Sequence, residues 1–406
     1  MILLLNHAHN LYKNMINAQK IFTFVCSGAS IYSFLPIIPK LLDNNIQCKI
    51  YFPGENYNIT AKQQEELKNL VFSGEVFPQK LIKNITEELP TIFDINSCSN
   101  TQISNNFPNF LMFSDPFFFE KTRLNKTICS KLNMKTVYFP YATEFMAANY
   151  DKWIVNNSHV KESNIIFTSY IMALNNYKQY SKQNIEKIYN IGNPELDILF
   201  NKLYENGSSY QQFKNFCQNA QYCFLYTPHW TIYEPPFDSS LLKIGQQLYD
   251  FINSNKDIRL IFRPHPYILK CNTHGKTQIK LQLMKLFEKY KNCSNIIFDN
   301  SASAIPAIAA SNCLISDCSS IIQKYWPTEK PIIVTEAQYG EASELIYSCL
   351  DVINSSEMLI NTMQKFINGN DPKKEMRKNK SIDFSGPYDG KCSERMVNIL
   401  LNEIKQ

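Results

Sequence analysis

At 406 residues the chain is long enough for two ordinary domains, each able to bury its own core. Hydrophobic residues make up 44% and charged residues 19%, which excludes a disordered or fibrous class. A formal net charge of +5 over this length is too thin for the dense basic face of a nucleic-acid binder, and it is compatible with anionic substrates or an acidic membrane surface.

The opening Met1–Leu5 run has no basic flank and is too short for a signal peptide. No window elsewhere reaches the roughly 18 apolar residues of a membrane span. The expected setting is therefore the cytoplasm, with any membrane contact peripheral and on the inner face. Ile21–Cys26 reads as a strand, Ser30–Leu42 as a helix and Gln47–Phe52 as a second strand, a βαβ start with ordinary turn chemistry at Ser27-Gly28. The aromatic stretch Phe107–Phe119 carries Asp115-Pro116, a strand-to-turn signal at a place where an acceptor cleft could be lined. Further strands are expected at Lys135–Phe139 and Ile165–Thr168. The pattern breaks at Gly192 and Pro194, and a polar stretch, Asn206-Gly207-Ser208-Ser209, follows as a candidate linker.

Beyond it the alternation is strict. Strands are expected at Tyr222–Tyr226, Arg259–Phe262, Asn295–Phe298, Cys313–Ile315 and Pro331–Thr335. Helices are expected between them at Ser240–Ile252, Lys276–Tyr290, Ala304–Ala310 and Ser319–Trp326. Such alternation predicts a doubly wound parallel sheet, and the chain as a whole two α/β halves facing a cleft. Many of the twelve cysteines sit inside apolar runs and no pair has zinc spacing, so reduced thiols packed as small hydrophobes are expected. His7, His9, His159 and His274 have no metal-like partners in sequence, and there is no Asp-x-Asp for a divalent nucleotide-sugar site, so no metal is expected.

Candidate chemistry sits at strand ends, where open α/β sheets bind ligands. Arg263-Pro264-His265-Pro266 follows a buried strand: Arg263 is suited to clamp phosphate oxygens, and His265 to donate to a leaving phosphate or move a proton. Ser316-Asp317-Cys318-Ser319-Ser320 lies where a helix should begin, so Ser316, Ser319 and Ser320 with free backbone N–H groups suit a diphosphate, while Asp317 either joins them or orients the loop. Thr227 and His229 in Tyr226-Thr227-Pro228-His229-Trp230-Thr231 close another strand on the same edge, His229 as a phosphate contact or an acid/base group. From the first half, Tyr141 and Thr143 could face the acceptor, with Glu144 a candidate general base; core packing of the aromatics is the competing reading.

These residues resemble the glycerophosphotransferases that use CDP-glycerol, a group that includes teichoic acid polymerases and related capsule enzymes. The resemblance rests on Gly192–Asp197, the Tyr-Thr-Pro-His-Trp block, Arg263–Pro266, Ser316–Ser320 with Lys330-Pro331-Ile332-Ile333 after it, and Tyr388–Arg395. It implies a glycosyltransferase-B-like architecture of two Rossmann-like domains, here residues 1–198 on the acceptor side and 199–406 on the donor side with a terminal helix. It also implies no metal and no other cofactor, a CDP-activated donor, and a glycan or lipid-linked glycan acceptor whose hydroxyl attacks the β-phosphorus with release of CMP. By the same resemblance His265, Ser319 and Ser320 hold the pyrophosphate.

The chain departs from that family in two places. Where members carry His-Gly-Thr with the proposed base, it has Pro140-Tyr141-Ala142-Thr143, and His229 and Thr231 replace the threonine and arginine of a Pro-Thr-Trp-Arg block. Three alternatives stay open on sequence: a metal-independent glycosyltransferase using another nucleotide-activated donor, an enzyme resembling UDP-N-acetylglucosamine 2-epimerases, and an inactive nucleotide-binding subunit.

Overall fold

The computed structural model describes residues 21–25, 33–34, 36–44, 46–51, 110–115, 129–130, 134–140, 154–180, 187–231, 239–265, 268, 277–301, 303–337, 339 and 342–405. The first sheet contains β1 (Ile21–Val25), β2 (Gln47–Tyr51), β3 (Phe110–Phe113), β4 (Lys135–Tyr138), β5 (Ile165–Thr168) and β6 (Ile188–Asn190). The second contains β7 (Tyr222–Thr227), β8 (Ile258–Phe262), β9 (Ile296–Phe298), β10 (Cys313–Ser316), β11 (Ile332–Thr335) and β12 (Asp351–Ile353). Their orders are β2-β1-β3-β4-β5-β6 and β12-β11-β10-β7-β8-β9, and every pairing is parallel.

Parallel strands covered by helices on both faces must be apolar at consecutive positions, and these are. In β7, Cys223 and Leu225 enter one core cluster while Phe224 and Tyr226 enter the other. In β3, Phe110 and Met112 are separated in the same way from Leu111 and Phe113. One cluster runs from Phe22, Phe24 and Phe167 of the first sheet through Leu196 and Leu400 to Leu314 and Ile332 of the second. The fold is thus α/β, with two Rossmann-like sheets in a glycosyltransferase-B-like arrangement.

Most elements expected from the sequence form, with ends shifted by one or two residues. The expected helix Ser30–Leu42 is helical at Ile38–Leu42, and residues 30–32 lie outside the described ones. The short edge strands β6 and β12 carry too few residues to show a period, and sequence alone did not predict them. The stretch expected as a linker contains the start of a helix, Ser208–Cys217, whose Phe213 is buried. At its end Cys217 lies beside Cys223, their Cα atoms 5.9 Å apart. Seven other described cysteines are buried.

The last helix, Cys392–Lys405, expected with the second half, returns to the first. Asp197 holds its start, accepting from the backbone of Cys392 at 3.0 Å and from the backbone and hydroxyl of Ser393 at 2.7 and 2.6 Å. A carboxylate there satisfies orphan N–H groups and complements the helix dipole. Near the helix end, Lys135 pairs with Glu403 at 3.2 Å.

Candidate functional site

In the second sheet the chain starts at β7, winds outward through β8 and β9, then crosses back to β10 on the other side of β7. The crevice beyond the carboxyl ends of these two strands is the switch point where doubly wound sheets bind ligands. Thr227 ends β7 and Ser316 ends β10, directly opposite each other in register. The sequence-predicted donor residues therefore converge, although they come from segments almost a hundred positions apart.

Inside the crevice floor the polar groups satisfy one another. The Thr227 hydroxyl donates to Ser316 Oγ at 2.8 Å, and Ser316 donates to the carbonyl of Asp317 at 2.9 Å. Asp317 is buried; its Oδ2 accepts from the backbone N–H of His229 at 2.7 Å and of Ser240 at 3.0 Å, and its Oδ1 from the Thr335 hydroxyl at 2.9 Å. Burial pushes this carboxyl above its ordinary range, while the bonds from Ser240, His229 and Thr335 pull it back. One side chain thus ties the ends of β7, β10 and β11 to the start of the helix Leu241–Ser254. Burial also pushes the Cys318 thiol up to about 12, which leaves it a packing group at neutral pH. Ser319 and Ser320 are only partly buried and precede the helix Ile321–Tyr325.

Arg263 extends from β8 toward the end of β9. Its Nη1 donates to Asp299 Oδ2 at 2.7 Å and to the Ser301 carbonyl at 2.9 Å, and Asp299 is fully buried. Asp299 Oδ1 in turn accepts from the Ser301 backbone at 2.8 Å. Asp299 and Ser301 were missed in the sequence, although Asp299-Asn300-Ser301 repeats the pattern of a buried strand ending abruptly in polar residues. Thr335 and Ser240 were missed as well, since a lone hydroxyl after an apolar run carries no signal.

His265 stands beside His229 and Trp230, with ring centroids 6.2 and 6.3 Å away. Burial first, then the neighbouring His229 and Arg263, lower His265 from 6.5 to about 4. It is a neutral imidazole across the physiological range, able to accept a proton or to donate one hydrogen bond. In the first sheet, Asp115 follows β3, next to that sheet's own switch point between β1 and β3. Tyr141, Thr143 and Glu144 lie outside the described residues. Among the described residues no group of three or more His, Cys, Asp or Glu is placed to hold a metal ion, and no helix is long and apolar enough to cross a membrane.

Comparison with known proteins adds two findings. The sequence profile of the CDP-glycerol:poly(glycerophosphate) glycerophosphotransferases matches residues 142–402. Among solved structures, the wall teichoic acid polymerase TagF superposes with a TM-score of 0.63 at 14% identity, covering 95% of this chain and 89% of that one. A UDP-GlcNAc 2-epimerase from Neisseria meningitidis bound to UDP-GlcNAc gives 0.60 at 15%, covering 95% and 100%. The epimerase from Methanocaldococcus jannaschii gives 0.59 at 18%, again covering 95% and 100%. At these identities the superpositions establish the fold alone. No curated protein matches the chain in sequence.

Proposed function

This chain belongs to the CDP-glycerol:poly(glycerophosphate) glycerophosphotransferase family, and from that premise we propose that it moves glycerol phosphate, or a related alditol phosphate, from a CDP-activated donor to a cell-surface glycan. The acceptor hydroxyl oxygen forms the new bond to the β-phosphorus, the bond from that phosphorus to the CMP oxygen breaks, and the hydroxyl proton passes to a base. The observation that carries this reading is the convergence of Arg263, His265, His229 and the Ser319-Ser320 turn at the β7/β10 switch point, inside the matched region.

In this reading His265, Ser319 and Ser320 contact the diphosphate, with Arg263 at the rim in its ion pair with Asp299. Thr227, Ser316 and Asp317 hold the loop that presents them. Glu144 and His265 are the proposed proton acceptors, with Tyr141 and Thr143 beside the acceptor. We place the division between the domains at 198/199, with a glycan or lipid-linked glycan as the acceptor and any membrane contact peripheral.

Because epimerases share the fold, fold does not choose between activities; the family match does. A transferase using another nucleotide-activated donor is the second reading, favoured by His229 and Thr231 in the block where the family has other residues. The test is release of nucleotide by the purified protein from CDP-glycerol, other CDP-alditols and UDP-sugars with a glycan acceptor. CMP from a CDP-alditol is expected. UDP release alone would move the assignment to the second reading, and no release from any donor would reject the enzyme.

A further inference from the structure

The His229–Thr231 pair brings two groups of Thr231 to one ring nitrogen. The Thr231 backbone N–H, which can only donate, points at His229 Nδ1 from 3.3 Å, and the Thr231 hydroxyl lies 2.6 Å from the same nitrogen. The backbone N–H calls for the lone pair at Nδ1, and with the hydroxyl donating as well the proton of the neutral ring lies on Nε2. The main chain is held equally firmly. The His229 backbone N–H is bonded to buried Asp317, and the Thr231 carbonyl accepts from Ser239 N at 2.7 Å. Thr231 itself is buried.

We infer that Thr231 is a positioning residue that locks His229 as the Nε2–H tautomer, making His229 a fixed hydrogen-bond donor to a phosphate oxygen of the nucleotide donor rather than the base. This rests on the transferase reading above. A base acting from Nε2 needs its lone pair there, whereas in His229 that lone pair is at Nδ1 and already engaged by Thr231. In the inferred role, a neutral N–H that donates to a phosphate oxygen stabilises charge as CMP departs. Neighbouring His265, also neutral, remains to handle the proton.

The experiment uses the full chain labelled with ¹⁵N-histidine, the His229 resonances being assigned by their loss in His229→Gln. In wild type the ring is expected as a single Nε2–H tautomer. Thr231→Val, which keeps the shape and removes the hydroxyl, should show mixed tautomers and a kcat lowered at least tenfold, whereas Thr231→Ser should restore the lock and most of the kcat. His229→Gln, whose amide donates from the Nε2 position, should retain clearly more kcat than His229→Asn, whose amide reaches only the Nδ1 position. An Nδ1–H ring in wild type, an unchanged tautomer and kcat in Thr231→Val, or equal loss in the Gln and Asn variants would overturn the inference. The tautomer measurement needs no donor, so a failure of the donor assignment shows in the nucleotide-release assay alone.

Discussion

Among single residues, His265 and Arg263 bear on stability as well as on the proposed transfer. Folding lowers His265 from 6.5 to about 4, so the folded state disfavours its proton. The resulting stability is fully present above pH 6.5 and is lost as pH falls through the window toward 4. Unfolding midpoints in urea measured from pH 7 to pH 4 should therefore fall less steeply in His265→Gln than in wild type. The difference should reach at most roughly 3 kcal/mol, less for the part of the ring that water reaches. Parallel curves would remove His265 from this role. Arg263→Ala should abolish transfer, but it also strands the buried Asp299 carboxylate, so a loss of about 3 kcal/mol in stability is expected with it. An Arg263→Ala/Asp299→Ala double variant should recover stability without recovering activity.

At the level of elements, the blocks that carried the family resemblance have two different jobs. Gly192–Asp197 and Tyr388–Arg395 lie about two hundred positions apart and meet in the fold. Asp197 caps the last helix, Arg395 donates to the Ile191 carbonyl at 2.9 Å, and a Cβ on Gly192 would meet Cys392 Sγ at 2.5 Å. Lys330, in the block after β10, donates to the carbonyls of Ile308, Ala309 and Ser311 and so closes the helix Ile305–Ala310. These motifs are architecture, whereas Arg263–His265 and Ser319-Ser320 follow the carboxyl ends of β8 and β10. Asp197→Ala should lower stability by about 2 kcal/mol, and Ser393→Ala, which loses one of the three bonds, by about 1 kcal/mol. Equal effects in denaturant titrations would show that the carboxylate is not the cap.

Across the whole molecule, the helix after the Ser316–Ser320 loop is anchored to the first half. Lys324 pairs with buried Glu195 at 2.5 Å, Ser303 donates to the other Glu195 oxygen at 3.1 Å, and Gln323 donates to Ser169 Oγ at 3.1 Å and to the Phe384 carbonyl at 3.0 Å. The loop that would grip the donor and the joint between the sheets therefore share one helix. Lys324→Ala should cost about 3 kcal/mol or more because Glu195 is left charged and buried, and adding Glu195→Gln should return much of it. Strict additivity of the two substitutions would dismiss the coupling.

Both sheets were legible in advance because parallel strands buried on two faces must be written as apolar runs that stop at polar residues. Strand ends were legible for the same reason, so the positions of Arg263, His265 and Ser316–Ser320 after β8 and β10 could be read from the sequence. Asp299, Thr335 and the capping role of Asp197 were not, since a polar residue looks the same in sequence whether its partner is water or a backbone amide two hundred positions away. Sequence alone determined the layers, the residue types at the crevice and the family. Tertiary structure alone decided which of those polar groups turn inward, as Asp317, Ser316 and Thr227 do, because that depends on strand order, and strand order places β10 between β11 and β7 rather than beside β9.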